Sequence, residues 1–237
     1  MPRKHFCDIF ASSRTMKKEI FMDFEVIKPA EIEKRSFEII TDELKEKGIA
    51  VCEENEMVIK RVIHASADFE YAKTLAFSHN VVEKAKKILN SGKAVIVTDT
   101  QMAKSGVNKS ALASLKAECH CFMSDEDVAL SARVSNSTRA SASAQKAASL
   151  FKNNEENVIY AVGNAPTALI TLCSLKDSGV FSPAIVIGVP VGFVNVVQSK
   201  DLAVQTFENY IVATGRKGGS TIAAAILNAL MYECVAR

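Results

Sequence analysis

Short apolar runs recur along the chain, each followed by small or polar residues and then by a helical pattern. The runs that read as strands cover residues 61–64, 94–98, 119–123, 158–162, 184–189 and 210–213. Val158-Ile159-Tyr160-Ala161-Val162 and Ile185-Val186-Ile187 show no polar alternation, as expected of parallel strands covered by helices on both faces. Between the runs, Val81, Val82, Ala85, Ile88 and Leu89 recur at helical spacing, with Gly92 as a stop. An early helix begins at Pro29 and ends near Gly48. Asn164-Ala165-Pro166 opens another, which Gly179 closes, and an Ala/Leu-rich helix is predicted over residues 220–235. The alternation predicts an α/β fold: a three-layer α/β/α sandwich with a mainly parallel, doubly wound, Rossmann-like sheet.

With 237 residues and no long Gly/Ser/Pro-rich or single-charge divider, residues 16–237 read as one domain. Residues 1–15 carry Arg3, Lys4 and Arg14 without the apolar core of a secretory signal, and read as a flexible extension, with Met16 as an alternative start. The near-balance of 29 basic and 27 acidic residues leaves no footprint for nucleic acid or a membrane surface. The stretch 184–197 is broken by Gly188, Pro190, Gly192 and Asn195 and is too short to cross a bilayer, so a cytoplasmic location is expected. The six cysteines show no regular framework and suit reduced thiols. Cys119-His120-Cys121 invites a metal reading, but on a strand the two cysteines share one face and His120 takes the other. No metal site is expected.

In doubly wound folds ligands lie beyond the carboxyl ends of the strands, which directs attention to the loops. Gly215-Arg216-Lys217-Gly218-Gly219-Ser220 is a glycine-rich turn opening a helix. Its backbone N–H groups, with Arg216 and Lys217, form a candidate anion cradle. It matches neither a Walker A loop nor the dinucleotide fingerprint. His64, read as the end of a strand, is the candidate for proton transfer near neutral pH. Arg61, three residues earlier, would face the opposite side of a strand. Ser36 lies on an apolar helical stripe with Ile32 and Ile40, where its hydroxyl either bonds a backbone carbonyl or lines a pocket. Arg139 stands near the start of an Ala/Ser-rich helix, as a surface or pocket arginine. No nucleophile elbow, His-Glu-x-x-His motif or telling carboxylate pair is present.

Taken together, the loops resemble the precorrin-8 methylmutase (precorrin isomerase) family. The matching blocks are Arg61-Val62-Ile63-His64-Ala65-Ser66-Ala67-Asp68, Val97-Thr98-Asp99-Thr100-Gln101-Met102 with Gly106, Ala161-Val162-Gly163-Asn164-Ala165-Pro166-Thr167-Ala168-Leu169, Gly188-Val189-Pro190-Val191-Gly192-Phe193-Val194, and the 215–220 turn. They occur in the family's order from about Met16 onward. The resemblance implies a homodimeric isomerase of cobalamin biosynthesis. It would catalyse the 1,5-sigmatropic methyl shift from C11 to C12 of precorrin-8 or its cobalt complex, yielding hydrogenobyrinate or cobyrinate. It further implies that His64 is the catalytic proton donor and acceptor, and that Ser36, Arg61 and Arg139 contact substrate. Arg216 and Lys217 would serve the substrate's carboxylates. No cofactor is implied, since any cobalt travels inside the substrate. A non-catalytic corrinoid carrier and an α/β enzyme acting on a phosphorylated substrate are the alternative readings. The first would bind pigment without converting it, and the second would answer to nucleotides instead.

Overall fold

The computed structural model describes residue 25 and residues 27–235; the predicted extension over residues 1–15 lies outside them. The described residues divide into two compact units, one up to Ile39 and one from Ile40 onward; the first long helix is α1 (Ile32–Glu46). Pro29 opens a short 3-10 turn ahead of α1, and Gly48 follows with a φ of 62°.

Six strands form one sheet among the described residues: β1 (Leu75–Phe77), β2 (Val95–Thr98), β3 (Glu118–His120), β4 (Val158–Val162), β5 (Ile185–Gly188) and β6 (Tyr210–Ala213). Their order is β1-β6-β5-β4-β2-β3, parallel throughout except where β1 runs antiparallel to β6. The chain winds outward in both directions from the β2–β4 neighbours, which makes the sheet doubly wound and places its topological switch point there. Successive strand residues feed opposite cores. Ile159 and Ala161 of β4 enter one apolar cluster, while Val158, Tyr160 and Val162 enter the other.

The helices of the first layer are α2 (Glu56–Ser66), α4 (Val81–Leu89), α5 (Gln101–Gly106), α6 (Lys109–Leu115) and α11 (Ser220–Tyr232), which cover the first cluster. A one-turn helix, α3 (Tyr71–Thr74), precedes β1. The second cluster is covered by α7 (Glu126–Val134), α8 (Arg139–Phe151), α9 (Pro166–Asp177) and α10 (Val196–Thr206). Three layers result, as the apolar pattern predicts.

Residues 61–64 are the exception. They lie inside helix α2, whose buried Val58, Ile59, Val62 and Ile63 recur at helical spacing and whose Lys60 pairs with Glu56 one turn back at 2.6 Å. Read from Val62-Ile63 alone, the stripe imitates a strand. Its true period shows only when Val58 and Ile59 are included. The strand that pairs with β6 is instead the short Leu-Ala-Phe run of β1, too brief to announce itself. The edge strand β3 ends at His120, before Cys121, and α11 ends at Tyr232 rather than Val235.

The layers meet closely at the strand ends. A Cβ on Gly163, directly after β4, would lie 2.8 Å from the Ser220 Cα that opens α11. Backbone on both sides leaves nothing flexible to yield. Gly163→Ala is therefore expected to destabilise the fold by about 1–3 kcal/mol, the usual cost of overpacking, visible as a lowered midpoint in urea unfolding.

Candidate functional site

The rim beyond the carboxyl ends of the strands is organised by Asp99, the residue after β2. It is 1% exposed, and its carboxylate accepts three backbone N–H bonds from the loop after β4: from Gly163 at 2.7 Å, Asn164 at 2.8 Å and Ala165 at 2.9 Å. Burial pushes this carboxyl above its ordinary range, and the three N–H donors oppose that rise. These donors precede α9, so Asp99 occupies from within the anion position that a helix N-terminus offers. Thr100 beside it caps α5 by accepting from the Ala103 N–H, and its Oγ1 lies 2.7 Å from Ser220 Oγ at the head of α11.

The glycine-rich turn leads into that same helix head. Gly215 and Gly219 have φ of 73° and 130°, values in the left-handed region that favours glycine. Gly218 is held so close to the loop after β5 that a Cβ would lie 2.2 Å from the Val189 carbonyl oxygen. Gly219 N–H donates to that oxygen at 2.8 Å. Beneath the turn, Lys200 of α10 is 0% exposed and donates to the carbonyl oxygens of Gly215 at 2.8 Å and Lys217 at 2.7 Å. Burial pulls its ammonium down to about 8, with Asp201 opposing.

On α2, Arg61 and His64 stand three residues apart and therefore on neighbouring positions of one face. The objection that a strand would separate them disappears with the strand. His64 is solvent-exposed in the last turn of α2, while the Arg61 guanidinium lies over the Tyr232 ring at 5.1 Å, on the partner helix α11. The helix closes at Ala67, with φ of 53°. Directly afterwards come Asp68 and Glu70, both paired with Lys217 Nζ at 2.6 Å. The end of the helix that carries His64 is thus tied to the glycine-rich turn. The hydrogen bond from Lys217 lowers the Asp68 carboxyl from its ordinary value, helped by the Glu70 N–H.

The other predicted residues are placed as follows. The Arg216 guanidinium lies over the Phe193 ring at 5.2 Å, beside the loop after β5. Lys217 is engaged by two carboxylates rather than presented to an open cradle. Arg139 is the first residue of α8, exposed, next to Thr138, whose Oγ1 lies 2.8 Å from Thr167 Oγ1 at the start of α9. Ser36 belongs to the first unit, where its hydroxyl donates to the Ile32 carbonyl at 2.9 Å, the first of its two sequence readings. Among the described residues no three His, Cys, Asp or Glu side chains gather as a metal-binding group. His120 instead bonds Glu118 at 2.8 Å and stacks on Phe122.

Sequence reasoning missed the roles of Asp99, Lys200, Asp68 and Glu70. A carboxylate directly after an all-apolar strand, facing a Gly-Asn-Ala-Pro loop, is a readable signal for Asp99. Lys200 has none, since a lone lysine in a polar-looking helix reads as solvated.

The precorrin-8X methylmutase family model matches residues 31–233. The chain is similar to the cobalt-precorrin-8 methylmutase of Priestia megaterium, 40% identical over 204 residues, covering 86% of this chain and 88% of the relative. It is also similar to the cobalt-precorrin-8 methylmutase of Salmonella typhimurium, 40% identical over 210 residues, covering 86% and 95%. Among solved structures it resembles the precorrin-8x methyl mutase of Thermus thermophilus, with a TM-score of 0.76 and 37% identity over 84% of this chain and 93% of that one.

Two predictions follow from the buried charges. Asp99→Asn turns an amide donor toward backbone N–H groups, and should cost about 1–3 kcal/mol, read as a lowered thermal midpoint. Lys200 has a folded-state pKa of about 8 against an ordinary 10.5, so between these values the unfolded chain binds more protons. Its burial penalty is present in full below pH 8 and fades as pH rises toward 10.5. Urea unfolding at pH 7.5 and pH 10 should therefore show wild type gaining stability relative to Lys200→Met at the higher pH; a constant difference contradicts this.

Proposed function

The chain belongs to the precorrin-8X methylmutase family, and from that premise we propose that His64 performs the proton transfer of its reaction, on a tetrapyrrole bound across the rim of the sheet. The protein is an isomerase of cobalamin biosynthesis, an intramolecular methyl-transferring enzyme. The reaction takes precorrin-8, with or without cobalt, to hydrogenobyrinate or cobyrinate by moving one methyl from C11 to C12. Substrate and product are isomers, so no atom enters or leaves and no oxidant, reductant or methyl donor is consumed. No co-reactant is required by that balance, in keeping with the proposal that the protein uses no cofactor of its own.

The observation that carries the reading is the exposed His64 imidazole on α2, whose end is tied by Lys217 to the glycine-rich turn. An imidazole both lends and recovers a proton near neutral pH. Lent to a ring nitrogen, that proton withdraws electron density from the conjugated system and favours migration toward the corrin; the imidazole recovers it afterwards. The substrate is a broad, flat ring with acetate and propionate arms, which calls for dispersed donors rather than one phosphate-sized pocket. Arg61 shares the face of His64, and Arg216 and Arg139 stand on the loop after β6 and at the head of α8. Arginine forks suit carboxylates. Ser36 is proposed as a substrate contact on family resemblance, and Lys217 as a brace whose charge reaches the substrate partly offset by Asp68 and Glu70.

We further propose a cytoplasmic homodimer. The five described cysteines are free thiols, in keeping with a reducing compartment. Among the described residues no helix is long and apolar enough to cross a membrane. Phe193 and Val194, 82% and 77% exposed, offer apolar surface for a subunit contact. The formal net charge of +2 supports a protein that does not bind nucleic acid.

The test is incubation of the purified protein with precorrin-8 while the visible spectrum is recorded. Conversion to the hydrogenobyrinate chromophore is expected, with His64→Ala retaining corrinoid binding and losing turnover by about 10²–10⁴-fold. Near-wild-type turnover in that variant refutes the role of His64.

A further inference from the structure

A buried charge is expensive, and Lys200 meets no carboxylate in the interior. Its ammonium is spent on two backbone carbonyl oxygens of one turn, those of Gly215 and Lys217. Ordinary turn closure needs no such group. Gly219 is already bonded to Val189, and Gly192 N–H donates to the Arg216 carbonyl at 3.3 Å. The lysine therefore does something beyond closing the turn.

Peptide geometry shows what. No described peptide bond is cis, so each C=O points opposite to the N–H of the next residue in the same rigid plane. Drawing the Gly215 carbonyl down onto Lys200 turns the Arg216 N–H away from it. Drawing the Lys217 carbonyl down turns the Gly218 N–H away likewise. Neither N–H has a hydrogen-bond partner among the described residues. Two unspent donors thus diverge from one buried cation, in a turn whose glycines leave no side chain over Gly218. Successive N–H groups of this kind form an anion-binding concavity, and the ammonium beneath adds positive potential through a low-dielectric interior.

We propose that Lys200 is a positioning residue, which holds the Arg216 and Gly218 N–H groups as a donor pair for one carboxylate arm of the substrate. The proposal rests on the functional reading above and deepens it. Lys200 never meets the ligand. It fixes two peptide planes, and those planes make the contact. The binding class is a carboxylate on a large ring; a corrinoid whose arms are amides forfeits the charge.

The test compares wild type, Lys200→Met and Lys200→Arg in visible-absorption titrations with hydrogenobyrinate and with cobinamide, whose peripheral carboxylates are amides. Steady-state turnover of precorrin-8 is measured alongside. In Lys200→Met, the Kd for hydrogenobyrinate and the KM should rise about 10- to 100-fold, the worth of a charge-assisted hydrogen bond. The Kd for cobinamide and kcat should stay within about threefold, and Lys200→Arg should recover most of the loss. No change in hydrogenobyrinate binding, or an equal loss for both corrinoids, overturns the proposal, the latter by marking a merely structural role. Should the variants fail to fold, the Arg216 and Gly218 amide signals of the wild type decide the matter by nuclear magnetic resonance. They should move when hydrogenobyrinate is added, and unmoved signals overturn the proposal. Failure of the wild type to bind hydrogenobyrinate strikes the functional reading itself, whereas wild-type binding that is indifferent to Lys200 strikes this inference alone.

Discussion

The rim of the sheet depends on the carboxylate of Asp99. A doubly wound sheet opens a crevice where its winding reverses, and in this fold that crevice lies between β2 and β4. The loop after β4 brings the N–H groups of Gly163, Asn164 and Ala165 to it, and Asp99 satisfies all three. Leaving such donors unpaired in the interior costs more than most single contacts contribute. From this anchor the rest follows in sequence. Gly163 comes within contact of the Ser220 backbone, Ser220 meets Thr100, and Thr100 caps α5. The anion position beside the loop after β4 is thus filled by a side chain of the protein itself.

Charge is distributed around that head with unusual economy. Lys217 is offset by Asp68 and Glu70, and Lys200 is sealed beneath the turn. A phosphate-binding loop concentrates positive potential at one point. On the proposed reading, this rim spreads it over backbone donors and separate arginines, to suit a ligand whose negative charges are scattered round a wide ring. The chain as a whole carries a formal net charge of only +2.

How much of this was legible in the sequence depended on period. The strands β2, β4, β5 and β6 are uninterrupted apolar runs bounded by loops, and no competing pattern obscured them. Helix α2 imitates a strand because Val62-Ile63 reads as an apolar pair unless it is joined to Val58-Ile59, four residues earlier on the same stripe. The difference matters chemically, since a strand sets Arg61 and His64 on opposite faces and a helix puts them together. Strand β1 was invisible because three residues carry no period, and only its antiparallel pairing with β6 makes it a strand. His64 and Arg61 stand out in the sequence by residue type at what reads as a strand end, and the 215–220 turn by its glycines. Asp99, which braces the loop after β4, and Lys200, which braces the 215–220 turn, act through burial and through backbone partners more than twelve residues away, and a linear pattern does not encode such pairs.

β1 also bears on how the chain behaves when crowded. Without it β6 would be the sheet's outermost strand, and its Tyr-Ile-Val-Ala backbone would be a template for polymerisation through strand addition. A segment of three residues, laid against the flow of its neighbours, closes that template. The opposite margin, β3, is equally short and opens on Glu118, whose charge discourages a docking strand. Both margins of the open sheet thereby offer little to an incoming strand.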